Sequence, residues 1–133
     1  LEIQNRQIPR NYVMPFTMIY APQECVLNRF DLADTSTDWF MWGMTAYELL
    51  TNKIPVHHEN PALLMHLQIN FQPEFHLIPQ RWKKVLQKAL SQYHFPKPPH
   101  YYSSYETAKM ITEGKQNRIR SFRELVKTLE ESA

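Results

Sequence analysis

Glycine is nearly missing from this chain. Its 133 residues include two, Gly43 and Gly114, so no glycine-rich loop exists to wrap the phosphates of a nucleotide. Cysteine is scarcer still, with Cys25 alone, which excludes an intrachain disulfide framework and a Cys-rich zinc site and suits a reducing compartment. The expected location is cytoplasmic, with the nucleus as the second choice. A charge excess is also missing: 15 Lys and Arg against 13 acids give +2, and a nucleic-acid binder concentrates far more positive charge on one face. No nucleic-acid partner is expected. The longest apolar stretch, Trp39 to Leu50, contains Glu48 and falls short of the roughly 20 residues that cross a bilayer. No membrane span is expected. The opening Leu1-Glu2-Ile3-Gln4-Asn5-Arg6 resembles neither a signal peptide nor a transit sequence, and the chain reads as part of something larger. What remains is ordinary: 43% hydrophobic and 21% charged residues, enough to fold one domain around a core.

Residues 1–34 carry Pro9, Pro15 and Pro22 without a sustained helical period and read as irregular. Asp34-Thr35-Ser36-Thr37-Asp38 is then a cluster of good N-cap residues, and the positions up to Leu50 are apolar except Gly43, Thr45 and Glu48. The pattern predicts a helix that is apolar all round and therefore enclosed in a core. It stops near Thr51-Asn52, where Asn takes a left-handed cap and Pro55 blocks continuation. Asn60-Pro61 opens a short second helix with Leu63, Leu64 and Leu67. Residues 70–79, with Pro73 and Pro79, form a loop. Trp82, Val85, Leu86, Ala89 and Leu90 then repeat at helical spacing. The polar side of that helix holds Lys83, Lys84, Gln87 and Lys88, either a solvated basic face or a docking patch for an anion. Residues 93–102 combine three prolines with four aromatics and read as a loop. Ser103-x-x-Glu106 and Ser121-x-x-Glu124 match the capping box, so each opens a helix. The first ends at Gly114, and the second presents Phe122, Leu125, Val126 and Leu129 as its apolar stripe.

Local catalytic chemistry is not written in the chain. None of His57, His58, His66, His76, His94 and His100 has zinc-hydrolase spacing with a glutamate, and no metal ligand is assigned. Cys25 has no neighbouring His; without a base or an electropositive setting it reads as an inert, buried thiol. No catalytic residue is assigned.

Order and distance are more informative. The stretch from Phe16 to Glu24, then Asp38 to Pro55, then Arg118 to Leu125 resembles the C-terminal lobe of a eukaryotic protein kinase, from the end of the activation loop to the last helix. The central piece is similar to that family's buried helix, D-x-[WY]-S-x-G-x-x-x-[WY]-E-L-L-T-G-x-x-P. Asp38, Phe40, Gly43, Tyr47, Glu48, Leu49, Leu50, Thr51 and Pro55 take the corresponding places. Thr17 and Tyr20 match the segment G-T-x-x-Y-x-A-P-E, with Phe16 at its glycine and Pro22-Gln23 at its Ala-Pro. Thr17 implies the serine/threonine or tyrosine-kinase-like type. Glu24 matches the glutamate that in the family forms a buried ion pair with an arginine just before the last helix. That arginine falls at Ile119 here, between Arg118 and Arg120, so the pair is either shifted by one residue or lost. Asp38 matches the aspartate that anchors the catalytic loop, although Met41 replaces the serine three residues on.

The resemblance implies a mainly α fold, the C-terminal lobe of a protein-kinase-like domain built around a buried central helix. Residues 1–133 would be a partial kinase-like domain, 1–34 the activation-loop end, and 91–117 an insertion atypical of the family. Thr17, Met18, Ile19 and Tyr20 would dock a protein or peptide substrate or partner together with the helix near 60–69. Glu24 with Arg118 or Arg120 would be the structural ion pair, and Asp38 the catalytic-loop anchor. The motifs that bind ATP and Mg precede this region in the family, so no cofactor is assigned to this chain. The missing N-terminal portion of the kinase-like domain becomes an expected partner. The departures at Phe16, Pro22-Gln23 and Met41 point toward a pseudokinase. A fragment of an active serine/threonine kinase and a stand-alone helical scaffold are the alternatives.

Overall fold

The structure, a computed structural model, describes residues 19–132, and among them every regular element is helical. The chain is therefore mainly α. Six α-helices follow one another: α1 (Gln23–Val26), α2 (Thr35–Thr51), α3 (Pro61–Ile69), α4 (Gln80–Ala89), α5 (Ser104–Lys115) and α6 (Phe122–Glu131). Single 3-10 turns lie at Phe30–Leu32, Phe75–Leu77 and Pro99–Tyr101.

The ends of α2 follow from its capping chemistry. The Asp34 side chain accepts the Ser36 amide at 2.9 Å, Thr37 Oγ1 accepts the Asp34 amide at 3.1 Å, and Asn52 closes the helix at φ 57°. Burial pushes the Asp34 carboxyl up, yet hydrogen bonds from Ser36 and the Lys115 ammonium at 3.0 Å hold it below the ordinary carboxylate value. Lys115 thereby ties the end of α5 to the start of α2, and its ammonium also donates to the Leu32 carbonyl.

The main core forms where α2 lies on α4: Phe40, Met44 and Tyr47 meet Leu86 and Leu90, with Val56 and Ile78 at one end. A second core joins α4 to α6 through Val85, Ala89, Ile119 and Leu125. Gly43 stands at the α2–α4 crossing, where a Cβ would meet Leu90 Cδ2 at 2.9 Å and Ala89 Cβ at 3.0 Å. Both glycines of the chain thus serve close packing.

Two expectations are corrected here. Among the described residues α2 is enclosed on one side only: Ser36, Thr37, Phe40, Gly43, Met44 and Tyr47 are buried, while Leu49 is 79% exposed and Trp39 and Trp42 are half-buried. α4 forms the main wall, with Tyr20, Leu64 and Phe71 added to the same core and Trp39 and Trp42 leaning on the α4–α6 core, while the Leu49 flank stays open. On α6 the buried ridge is Leu125 and Thr128, with Leu129 partly buried, whereas Phe122 is 68% exposed and Val126 is exposed too. Thr128 can occupy a buried position because its hydroxyl donates to the Glu124 carbonyl at 2.8 Å.

The stretch 91–117 is firmly attached. Ser103 accepts the Glu106 amide at 3.0 Å and Glu106 accepts the Ser103 amide at 2.9 Å, so the capping box opens α5 as its spacing predicts. The helix runs one residue past Gly114, which presses on the backbone of Gln92 and Tyr93. A Cβ at Gly114 would collide with that backbone, and no side-chain rotation can relieve the clash. Gly114→Ala should therefore lower stability by about 1–3 kcal/mol despite alanine's better helix propensity. Urea unfolding checks this; an unchanged or raised midpoint would mean that α5 does not press on residues 92–93.

Candidate functional site

Glu24 sits in the first turn of α1 and Arg118 in the segment leading to α6. Both side chains are fully buried, and the guanidinium grips the carboxylate with two hydrogen bonds, Nη1 to Oε2 at 2.6 Å and Nη2 to Oε1 at 3.2 Å. The remaining valences are used as well. Thr37 Oγ1 donates to Glu24 Oε2 at 2.7 Å, Arg118 Nε donates to the Ser91 carbonyl at 2.7 Å, and the guanidinium lies 4.9 Å from the centre of the Phe40 ring. A buried carboxylate needs such compensation, because removing a charge from water without a partner is costly. The register follows from packing: the neighbouring Ile119 is fully buried in the α4–α6 core, so Arg118 is the residue aimed at α1. Arg120, the other candidate, stays exposed and donates to the Arg118 and Gln116 carbonyls.

Beside this pair lies a cluster that sequence reasoning missed. Gln23 Nε2 donates to the Ile69 carbonyl at 2.6 Å and to the Tyr93 carbonyl, and the Gln23 amide donates to Gln92 Oε1 at 3.1 Å. Gln68 Nε2 donates to the Ala21 carbonyl at 2.9 Å, and Gln92 Nε2 to the Gln68 carbonyl at 3.3 Å. Three glutamines thus join residues 21–23, the end of α3 and the start of the 91–117 stretch. The Gln23 for Pro replacement in the motif was the available signal, since an amide side chain can bond where a proline ring cannot.

Of the expected docking residues, Thr17 and Met18 lie outside the described residues. Ile19 and Tyr20 are half-buried. Tyr20 packs on the main core and its hydroxyl donates to Glu48 Oε1 at 2.5 Å, a bond that holds the phenol above its ordinary pKa. It fastens residues 19–22 to α2. On the 60–69 helix, also expected to dock, Leu63, Met65 and Leu67 are each more than two-fifths exposed. Leu67 also borders a cavity of about 230 Å³ walled by Ile54, Val56, Phe71 and Glu74. On the uncovered flank of α2, Trp42, Ala46, Leu49 and Leu50 face Trp82 of α4 across an apolar groove of about 240 Å³. Asp38 stands exposed in the first turn of α2.

Cys25 is fully buried, and burial together with the Glu24 charge pushes its thiol up to about 12. Among the described residues no three His, Cys, Asp or Glu side chains are grouped to hold a metal ion, and no helix is long and apolar enough to cross a membrane. Comparison with protein-family models, with curated proteins and with solved structures returned no match.

Two measurements follow from the anchor. Glu24→Ala should destabilise the fold by about 3–5 kcal/mol by stranding the Arg118 charge, whereas Glu131→Ala, which removes an exposed pairing with Lys84, should cost at most about 1 kcal/mol. Equal shifts in the urea midpoint would contradict an enclosed pair. Cys25 should react with a disulfide reagent at pH 8 only as fast as the chain opens, and rapidly in denaturant; immediate labelling of the native protein would contradict its burial.

Proposed function

We propose that this chain is the C-terminal-lobe portion of a protein kinase or pseudokinase, that it docks a protein or peptide partner, and that it transfers no phosphate by itself. The observation that carries the reading is the enclosed Glu24–Arg118 pair, which joins the end of the Thr17–Glu24 motif to the approach to the last helix. A kinase-like lobe calls for such a pair between those two places, and helical periodicity alone does not. The Tyr20–Glu48 bond supports the same reading, since both residues belong to the resembling motifs.

Docking falls to α3. Its exposed Leu63 and Leu67, one turn apart, form a ridge that borders the Ile54–Leu67 cavity through Leu67, and an apolar helix face bordering a groove suits an extended or helical peptide. The apolar groove between Trp42 and Trp82 is the surface for the N-terminal portion of the domain, which would also bring the residues that hold ATP and Mg. Phosphoryl transfer needs that apparatus. Gly43 and Gly114 sit inside helices and cannot supply a phosphate loop.

Two arms test the proposal. Mg-ATP should leave the unfolding temperature of the chain unchanged, whereas a ligand at about 100 times its dissociation constant would add about 2.7 kcal/mol; a nucleotide-induced rise would contradict the non-catalytic assignment. Peptides selected from a displayed random library against the wild-type chain should lose about tenfold or more in affinity for the Leu63→Asp, Leu67→Asp variant. Selected peptides indifferent to that change would contradict docking at α3.

A further inference from the structure

The basic side of α4 is not a uniform solvated face. Lys84 is paired with Glu131 of α6 at 3.3 Å. One turn on, Lys88 reaches the wall of a polar cleft of about 330 Å³ between α4, α6 and residues 116–120. Arg120, Lys127 and Asn117 also line it. Among the described residues none of Lys88, Arg120 and Lys127 is in an ion pair.

The anions that share the cleft do not neutralise these three cations. Glu131 is engaged by Lys84, and Glu124 accepts the backbone amide of Arg120 at 2.9 Å. Arg118, which also touches the cleft, is already balanced by Glu24. Three cations against the Glu124 carboxylate leave a surplus of two positive charges. A dianion matches that surplus and a single carboxylate does not. The planar fork of Arg120 can grip two oxygens of a tetrahedral anion while the lysines act as point charges.

We propose that the α4–α6 cleft binds a phosphate monoester carried on a protein side chain. The site does not depend on the kinase-like reading. A nucleic-acid backbone would need a continuous basic track, and these three cations line a single cleft. An anionic bilayer presents a plane of negative charge, whereas these three cations line a recess of about 330 Å³. A single phosphate on a flexible segment enters the cleft without meeting that plane, which is the mode of phosphopeptide recognition by clustered cations.

The test uses the isotopically labelled chain at constant ionic strength and a carrier peptide with one phosphoserine. Amide NMR shifts should saturate and be confined to the neighbourhood of residues 88 and 116–128, and the unphosphorylated twin should cause none. The variant Lys88→Ala, Lys127→Ala should bind the phosphopeptide about tenfold or more weakly, with Lys83→Ala, on the same helix outside the cleft, unchanged. Thermal unfolding of each variant checks that the fold is kept. Equal binding of the twin, inorganic phosphate binding as tightly as the phosphopeptide, a response only to phosphoinositide vesicles, or no saturable shift would each overturn the proposal.

Discussion

A carboxylate and a guanidinium, 94 residues apart and both sealed from water, are the contact on which the arrangement of this chain depends. Once Glu24 is buried it must meet a cation, and Arg118 meets it with both arms of its fork. That places α1 beside the approach to α6, and the accessory bonds from Thr37 and to the Ser91 carbonyl bring in the start of α2 and the end of α4. Hydrophobic packing of α2 on α4 is less particular in residue identity, because volume-conserving apolar exchanges cost little, although Gly43 fixes the crossing. A buried, fully hydrogen-bonded ion pair has one geometry.

The helices were legible where their signals are local. The Asp34 cap, the Asn60-Pro61 start and the Ser103–Glu106 box are each made within a few residues, and each opens the helix that its spacing predicts. Burial was less legible. A helix that is apolar on every side looks enclosed in sequence, yet the described structure leaves the Leu49 flank of α2 open. On α6 the apolar stripe overstated Phe122 and missed Thr128, because a threonine that bonds its own helix backbone can be buried like a hydrophobe. The partner of Glu24 was ambiguous in sequence since Arg118 and Arg120 flank the expected position alike; in the structure Arg118 is buried on Glu24 and Arg120 is exposed.

The glutamine cluster lay furthest from sequence reasoning. Gln23, Gln68 and Gln92 are far apart in the chain, and amide side chains carry no periodicity or charge to mark them. Their effect is to bind the 91–117 stretch to the segment at Ala21–Gln23 and to the end of α3. The stretch acts as a buttress, fastened again by Arg29 to Ser104 and by Lys115 to Asp34. The proposed docking surfaces divide accordingly: a braced α3 with exposed leucines, an apolar groove along α2, and a cationic cleft beside α6.

A double-mutant cycle on Glu24→Gln and Arg118→Met reports most directly on the anchor. The account predicts that each change is strongly destabilising alone and that the pair together costs far less than the sum, with a coupling of about 2–3 kcal/mol in urea unfolding. Additivity to within about 0.5 kcal/mol would mean that the two side chains do not meet, and the proposed kinase-like reading would lose its support.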